Sequence, residues 1–246
     1  MNKNIRYIIE THTKNKFIHD IIDDDDISST SNVVNTFTHK YFPETNSELL
    51  NVITAELNNG NTNLNIIDVS KITDFSNLFE SVHIYLKEAA KVLKNRETFK
   101  NKKKWEYVQW TEDLADDIFA EIDISEWNVS NGRNFSKMFY GCWRFNGDIS
   151  NWDVGQGEDF SHMFANCTQF NSDISKWDMK NAVHLNEMFY ECANFNQDIG
   201  NWNMQSAGDC SYMFYNCYKF NQDISGWKLP NCETCESMFW GCRQFN

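Results

Sequence analysis

Apolar and polar positions recur through the C-terminal half of the chain with a period of 25 residues. Five units align without gaps, at 123–147, 148–172, 173–197, 198–222 and 223–246. Each follows the frame Asp-Ile-x-x-Trp-x-aliphatic, five variable residues, an apolar or Cys position, then x-x-Met-Phe-x-x-Cys-x-x-Phe-Asn. A unit this small cannot bury its own apolar face, so the pattern predicts units stacked into a solenoid.

Each unit divides into two patterns. Trp127 and Val129 alternate with polar residues, which predicts a short strand with both side chains inward. An apolar series with the spacing i, i+3, i+4, i+7 follows, which predicts one face of a two-turn helix: Phe135, Met138, Phe139 and Cys142.

Equivalent residues of successive units should form columns through the stack. The aromatic column is Trp127, Trp152, Trp177, Trp202 and Trp227. The thiol column is Cys142, Cys167, Cys192, Cys217 and Cys242. One cysteine per unit is typical of packing rather than of disulfides, because a free Cys behaves as a small buried hydrophobe.

Residues 45–83 are predicted to cap the stack with a helix and a degenerate first repeat. Thr45 and Glu48 form a capping box, and Asn59-Gly60 ends the helix. The buried stripe of this helix is Leu49, Leu50, Ile53 and Leu57. Residues 64–81 then repeat the frame in weaker form, with Phe75 and Phe79 at the positions of Phe135 and Phe139.

Two segments stand outside the repeat. Residues 84–122 are predicted to be a helical insertion, basic in its first half and acidic in its second. It is either a hairpin whose charges face each other or water, or a basic arm, Lys87–Lys104, that grips an acidic partner or nucleic acid. Residues 1–44 are interpreted as a possible β-hairpin followed by an acidic linker.

The net charge of −13 argues against a general nucleic-acid binder and against adhesion to anionic membranes. No apolar run is long enough to predict a membrane span. The first residues show no secretory signal, so a cytoplasmic protein is expected, or a virion-associated one if the source is a virus.

The Asp-Ile-Ser-x-Trp-Asp-Val and Met-Phe-x-x-Cys-x-x-Phe-Asn-Gln motifs resemble the BspA-type leucine-rich-repeat surface proteins, in their 25-residue lipoprotein-repeat branch of unknown function. The resemblance covers about residues 45–83 and 122–246. It implies roles in adhesion or protein binding and no enzymatic activity. With the patterns above, it leads us to expect an α/β repeat fold: a leucine-rich-repeat-like, right-handed solenoid with an N-terminal helical cap and a helical insertion.

Chemistry-bearing residues are few. The aspartates that open the units are expected to accept backbone N–H bonds in surface turns, with a Ca²⁺ row as the alternative: Asp123, Asp148, Asp173, Asp198 and Asp223. Cys235 and, one unit earlier, Cys210 hold the inward position and are interpreted as core thiols, and the Cys232-x-x-Cys235 motif is interpreted as packing rather than as a zinc or redox site. Histidines form no familiar catalytic arrangement, so no enzyme and no cofactor or metal are expected.

Three groups are candidates for interaction. An aromatic column follows Met-Phe: Tyr140, Tyr190, Tyr215 and Trp240. A polar column follows the tryptophans: Asn128, Asp153, Asp178 and Asn203, with Lys228 in the last unit. Phe245 belongs to the last unit, whose open face is expected to dock on a protein partner or a second copy.

The predicted function is a non-catalytic protein-interaction or structural module, in a larger assembly such as a virus particle. The alternatives are an adhesin-like surface receptor and binding of an acidic partner or nucleic acid through Lys87–Lys104.

Overall fold

The computed structural model describes residues 39–94 and 117–246, with side chains placed through 88 and from 117. The hairpin and acidic linker predicted within 1–44 lie outside the described residues. So does most of the charged insertion, including the lysines beyond residue 94.

Helix α1, Asn46–Asn58, is the helix predicted from the capping box. The Thr45 side chain accepts the Glu48 N–H at 3.2 Å, while the Glu48 carboxylate accepts the Glu44 N–H at 2.8 Å. The helix ends at Asn58, Asn59 caps it, and Gly60 follows with φ of 80°. Its apolar stripe is buried at Leu49, Ile53 and Leu57, and Leu50 is half-buried.

Helix α2, Leu78–Lys94, starts inside the degenerate repeat and extends into the insertion. It packs against α1. Its Phe79 ring stacks on Phe139 of the first unit at 5.0 Å, while Phe119, within the helical residues 117–121, meets Phe79 edge-on at 6.2 Å. The start of α2 and residues 117–121 therefore cover the first full unit.

The repeats contain turns and isolated bridges instead of helices and strands. Between residues 122 and 246 the chain has no α-helix and no extended strand. One parallel bridge joins each unit to the next, through Asp74, Asn134, Asp159, His184, Asp209 and Thr234. The prediction of an α/β, leucine-rich-repeat-like right-handed solenoid is therefore wrong.

Left-handed backbone positions explain why the i, i+3, i+4, i+7 series is not a helix. Lys137 has φ of 55° and Gly141 has φ of 72°, and both break any right-handed helix between Phe135 and Cys142. Within the unit, Met138 and Cys142 donate their N–H groups three residues back, to Phe135 and Phe139. The apolar side chains face inward with helical spacing because successive tight turns also place every third or fourth residue on one side.

Every second N–H in this segment bonds to the following unit. The N–H groups of Phe135, Lys137, Phe139 and Gly141 donate to carbonyls of residues 159, 161, 163 and 165 at 2.8–2.9 Å. The same four bonds recur between each later pair of units. Neighbouring units are thus joined by a regular ladder of backbone bonds, which satisfies donors that the tight turns leave unpaired.

The tryptophan segments are turns too. Trp152 N–H donates to the Ile149 carbonyl at 3.2 Å, and its indole Nε1–H donates to the Ile124 carbonyl of the preceding unit at 3.1 Å. All five tryptophans make this second bond, at 2.9–3.1 Å. At this position the hydrogen bond between units is therefore donated by the Trp side chain, whereas a β-strand would donate it from the backbone.

Three aromatic columns form the core. The rings of Trp127, Trp152 and Trp177 stack in series at 6.3–6.4 Å, and Trp202 stacks on Trp227 at 6.3 Å. The column that begins at Phe139 stacks at 5.5–5.7 Å, and the column that begins at Phe145 stacks at 5.6–6.1 Å. These contacts hold all five units in one register.

Candidate interaction face

An outward row of aromatic side chains follows the buried Met-Phe pair of the units. We call this row the aromatic face and define it as Tyr140, Tyr190, Tyr215 and Trp240, together with Trp143 and Tyr218, which follow Tyr140 and Tyr215 by three residues. Its position follows from the ladder, because the residue after each buried Phe lies on a tight turn between two inter-unit bonds. Ala165 occupies the equivalent site in the second unit and is fully buried.

The rings of the aromatic face differ in exposure. Tyr190 and Tyr215 stack face to face at 4.8 Å and are half-buried. Trp240, in the next unit, is 65% exposed and Tyr218 is 38% exposed. Tyr140 instead faces His162 at 6.4 Å. The row therefore has its stacked pair in the third and fourth units and its most exposed ring in the fifth.

Cations lie over several of these rings. The Arg144 guanidinium is 4.9 Å from the Trp143 ring centre, and Arg243 is 4.7 Å from that of Tyr218. Both distances are within the range of cation–π attraction. The faces of these rings are thus able to hold a guanidinium group.

Carboxylates surround the stacked tyrosines. Burial raises the pKa of Tyr190, and the nearby charges of Glu191 and Glu187 raise it further. The Tyr212 hydroxyl donates to Glu236 at 2.6 Å, and that bond is the main cause of the raised pKa of Tyr212. Around the stacked tyrosines, the face therefore combines aromatic surface with negative charge.

The polar column is tied into turns. The side-chain oxygens of Asn128, Asp153, Asp178 and Asn203 each accept the N–H two residues on, at 3.0–3.2 Å. All four residues are exposed, as is Lys228 in the last unit. They shape the turn after each Trp, a role that the sequence interpretation did not assign to them.

The aspartates that open the units also form Asx turns, as predicted. Each accepts the N–H two residues on, at 2.9–3.1 Å. Hydrogen bonds from Ser175 lower the pKa of Asp173, and those from Ser225 lower the pKa of Asp223. Across residues 39–94 and 117–246, no three His, Cys, Asp or Glu side chains are grouped so that they could hold a metal ion.

The thiol column has a bonding role that the sequence did not reveal. The thiols of Cys167, Cys192, Cys217 and Cys242 donate to the carbonyl of the Phe in the preceding unit, at 2.9–3.0 Å. Burial raises the pKa of Cys167, Cys192 and Cys217 well above the ordinary thiol value. These thiols therefore stay protonated, as the donor role requires.

The remaining thiols meet at the junction of the fourth and fifth units. Cys210 is buried, as predicted, but Cys232 is half-buried and Cys235 is exposed, contrary to the core position predicted for Cys235. The Sγ atoms of Cys232 and Cys235 are 3.3 Å apart.

Two other candidates from the sequence are placed as follows. Phe245 stacks on Phe220 at 5.6 Å and on Phe239 at 4.4 Å, and is half-buried. Lys87 lies on α2, whereas Lys100–Lys104 lie outside the described residues.

In the part of the chain that the structure describes, no helix has the length and apolar character needed to cross a bilayer. No curated protein and no solved structure matches the chain. A family model matches it in three overlapping segments, residues 47–157, 114–192 and 158–246, which together extend over the capping helix and all the repeats. The chain therefore belongs to the repeat family described as Mycoplasma protein of unknown function, DUF285.

Proposed function

We propose that the chain is a non-catalytic interaction module that binds a partner protein through its aromatic face. The observation that carries the proposal is the row formed by the stacked Tyr190 and Tyr215 rings and the exposed Trp240. Aromatic side chains dominate the centres of protein interfaces, because they offer large contact areas with few rotatable bonds.

The backbone beneath the row favours binding. Glu191 N–H donates to the Tyr215 carbonyl, and Asn216 N–H donates to the Trp240 carbonyl, both at 2.7 Å. The residues that carry the rings are thus fixed to one another from unit to unit. Because the backbone of this row is already ordered, binding loses little conformational entropy there, which increases the affinity for a partner.

The charge around the row indicates the chemistry of the partner. Glu187, Glu191 and Glu236 lie beside the tyrosines, and the whole chain has a net charge of −13. Arg144 and Arg243 already lie over rings of the aromatic face. A partner segment with Arg or Lys side chains would combine cation–π contacts with attraction to these carboxylates.

The motif's resemblance to BspA-type surface repeats supports the same class of function, since adhesion and protein binding are the roles that it implies. An adhesin-like receptor and a subunit of a larger assembly are two settings in which such a module would work.

A peptide-display selection on the folded chain tests the proposal. We expect the selected peptides to be rich in Arg or Lys and to bind at least about tenfold more weakly to a Tyr215→Ser, Trp240→Ser variant. The matched control is Phe42→Ser. The Phe42 side chain is 63% exposed, a fraction similar to the 65% of Trp240, and it lies outside the repeats. Peptides that bind the double variant and the wild type equally would refute the proposal.

A further inference from the structure

Two positions three residues apart face each other in the repeat units. In the first unit, a Cβ added to Gly132 would lie 2.3 Å from Cζ of Phe135, closer than any real Cβ contact. Gly157 and Phe160 of the second unit give the same 2.3 Å. The phenylalanine ring therefore lies directly over the glycine, and the two positions share one small volume.

The later units divide the same volume differently. The third has Ala182 with Leu185, and the fourth has Ala207 with Cys210. Where the second side chain is smaller than Phe, the first is larger than Gly, which is expected where packing is tight. In the fifth unit both positions are cysteine, Cys232 and Cys235.

The contact between these positions brings two sulfurs together. Cys232 Sγ and Cys235 Sγ are 3.3 Å apart, within reach of a disulfide after a small rotation of the side chains. Cys235 is exposed and Cys232 is half-buried, so a small reagent can reach the pair. Cys210, the third thiol of the cluster, is buried.

We propose that Cys232 and Cys235 form a reversible dithiol–disulfide site, oxidised by small-molecule disulfides such as glutathione disulfide. The Cys235 thiolate, after giving its proton to solvent, attacks one sulfur of glutathione disulfide. This forms a mixed disulfide and expels one glutathione thiolate. Cys232 then loses its proton and attacks the Cys235 sulfur, which forms the internal disulfide and expels the second glutathione. The protein loses two electrons and two protons, and one glutathione disulfide becomes two glutathione molecules.

The disulfide would enclose two of the residues that join the fifth unit to the fourth. Glu233 N–H donates to the Gly208 carbonyl at 2.7 Å, and the Thr234 carbonyl accepts the Cys210 N–H at 3.0 Å. Both residues lie between the two cysteines. Oxidation would therefore restrain the turn that makes these two bonds.

The thiols of the cluster differ in reactivity. Burial and the neighbouring Cys232 raise the pKa of Cys235 to about 11, with a smaller contribution from Asp209. Burial also raises the pKa of Cys210, and Cys232 and Cys235 add to this effect. Oxidation should therefore be slow at neutral pH and accelerate as pH rises, and it should begin at the exposed Cys235.

The test is equilibration of the full chain in glutathione redox buffers, followed by acid quenching, alkylation and mass spectrometry. We expect the loss of two thiols, both in the peptide that contains Cys232 and Cys235, while the other six of the eight cysteines remain alkylatable after unfolding. The folded chain should favour this disulfide at least about tenfold over the same chain in urea, because the fold holds the sulfurs together.

The repeat supplies conservative control variants. Cys232→Ala gives the fifth unit the Ala/Cys pair of the fourth, so it should fold and should stop at the mixed disulfide on Cys235. Cys210→Ala should leave formation of the disulfide unchanged. The proposal would be overturned if the wild-type chain kept the mixed disulfide or formed a disulfide with Cys210 instead. It would also be overturned if the folded chain formed the Cys232–Cys235 disulfide no more readily than the chain in urea.

Discussion

Single residues in left-handed conformation determine the path of each unit. The position before the Cys of the thiol column has positive φ in all five units, in Gly141, Asn166, Glu191, Asn216 and Gly241. Gly and Asn tolerate this conformation best, and four of the five are Gly or Asn. The composition of this one column was thus a signal against a helix, and the apolar spacing concealed it.

Gly141→Ala should destabilise the protein by about 1–2 kcal/mol, because an alanine adopts the left-handed backbone conformation less readily than a glycine. Gly141 has φ of 72°, yet an added Cβ would meet nothing within 4 Å, so no steric contact contributes. Urea unfolding of the variant and the wild type measures the difference in the free energy of unfolding.

Gly208→Ala is the matched control for that variant. Gly208 has no positive φ, and its added Cβ would lie 3.5 Å from Val183 Cγ1, an ordinary contact. This change should alter stability by no more than about 0.5 kcal/mol. Equal losses in the two variants would contradict the backbone explanation.

At the scale of elements, the sequence predicted α1 better than it predicted the repeats. The capping box, the apolar stripe and Asn59-Gly60 act within one segment, and the structure has the helix where they place it. In the repeats, the N–H groups of Phe135 and Phe139 bond to the next unit. Periodicity along one segment does not show where its hydrogen bonds end, so turns joined across units were interpreted as a helix and a strand.

The candidate site, like the fold, was predicted only in part from the sequence. The aromatic column was visible because its residues share one position in the repeat. The turn-forming role of Asn128 and its equivalents, and the thiol donation by Cys192, depend on backbone geometry that spacing does not specify. Sequence thus located the surface but not the bonds that support it.

Glu56 ties α1 to the chain on both sides of it. Its carboxylate is buried and accepts hydrogen bonds from the Tyr41 hydroxyl, from Lys40 Nζ at 3.1 Å and from Asn61 Nδ2 at 2.8 Å. Burial alone would raise the pKa of Glu56, but the three hydrogen bonds and the charge of Lys40 together lower it. The carboxylate is therefore better stabilised in the folded state than in the unfolded one.

This depressed pKa predicts a pH dependence of stability. The contribution is fully present above the unfolded-state pKa of about 4.3 and is lost as pH falls through the lower, folded-state value. Glu56→Gln should cost about 1 to 2 kcal/mol at pH 7, and the two stabilities should converge in acid. Unfolding measured between neutral and acid pH checks this convergence.

Glu44→Gln is the control, because Glu44 pairs with Lys71 on the surface and both side chains are 64% exposed. Its effect on stability at neutral pH should be much smaller than that of Glu56→Gln, because solvent screens exposed ion pairs. A gap between wild type and Glu56→Gln that stays constant at every pH would exclude the charged carboxylate as its source.

At the scale of the whole molecule, stability is expected to depend on contacts between neighbouring units. In the column from Phe139 to Phe239, neighbouring rings lie 5.5–5.7 Å apart, and the backbone ladder joins the same neighbours. In such an array the free energy of unfolding approximates a sum of unit terms and nearest-neighbour terms. Coupling between units should therefore fall steeply beyond one repeat.

A pair of double-mutant cycles in this column tests that expectation. Phe164→Leu and Phe189→Leu change rings that stack at 5.7 Å, and should show a coupling energy of about 0.5–1.5 kcal/mol. Phe139→Leu and Phe214→Leu are the control pair; each makes the same change in the same column, but two units lie between them. Their effects should add to within about 0.5 kcal/mol in urea unfolding. Strong coupling in the distant pair would mean that the stack relaxes as one block, and the register of the aromatic face would then depend on every unit beneath it.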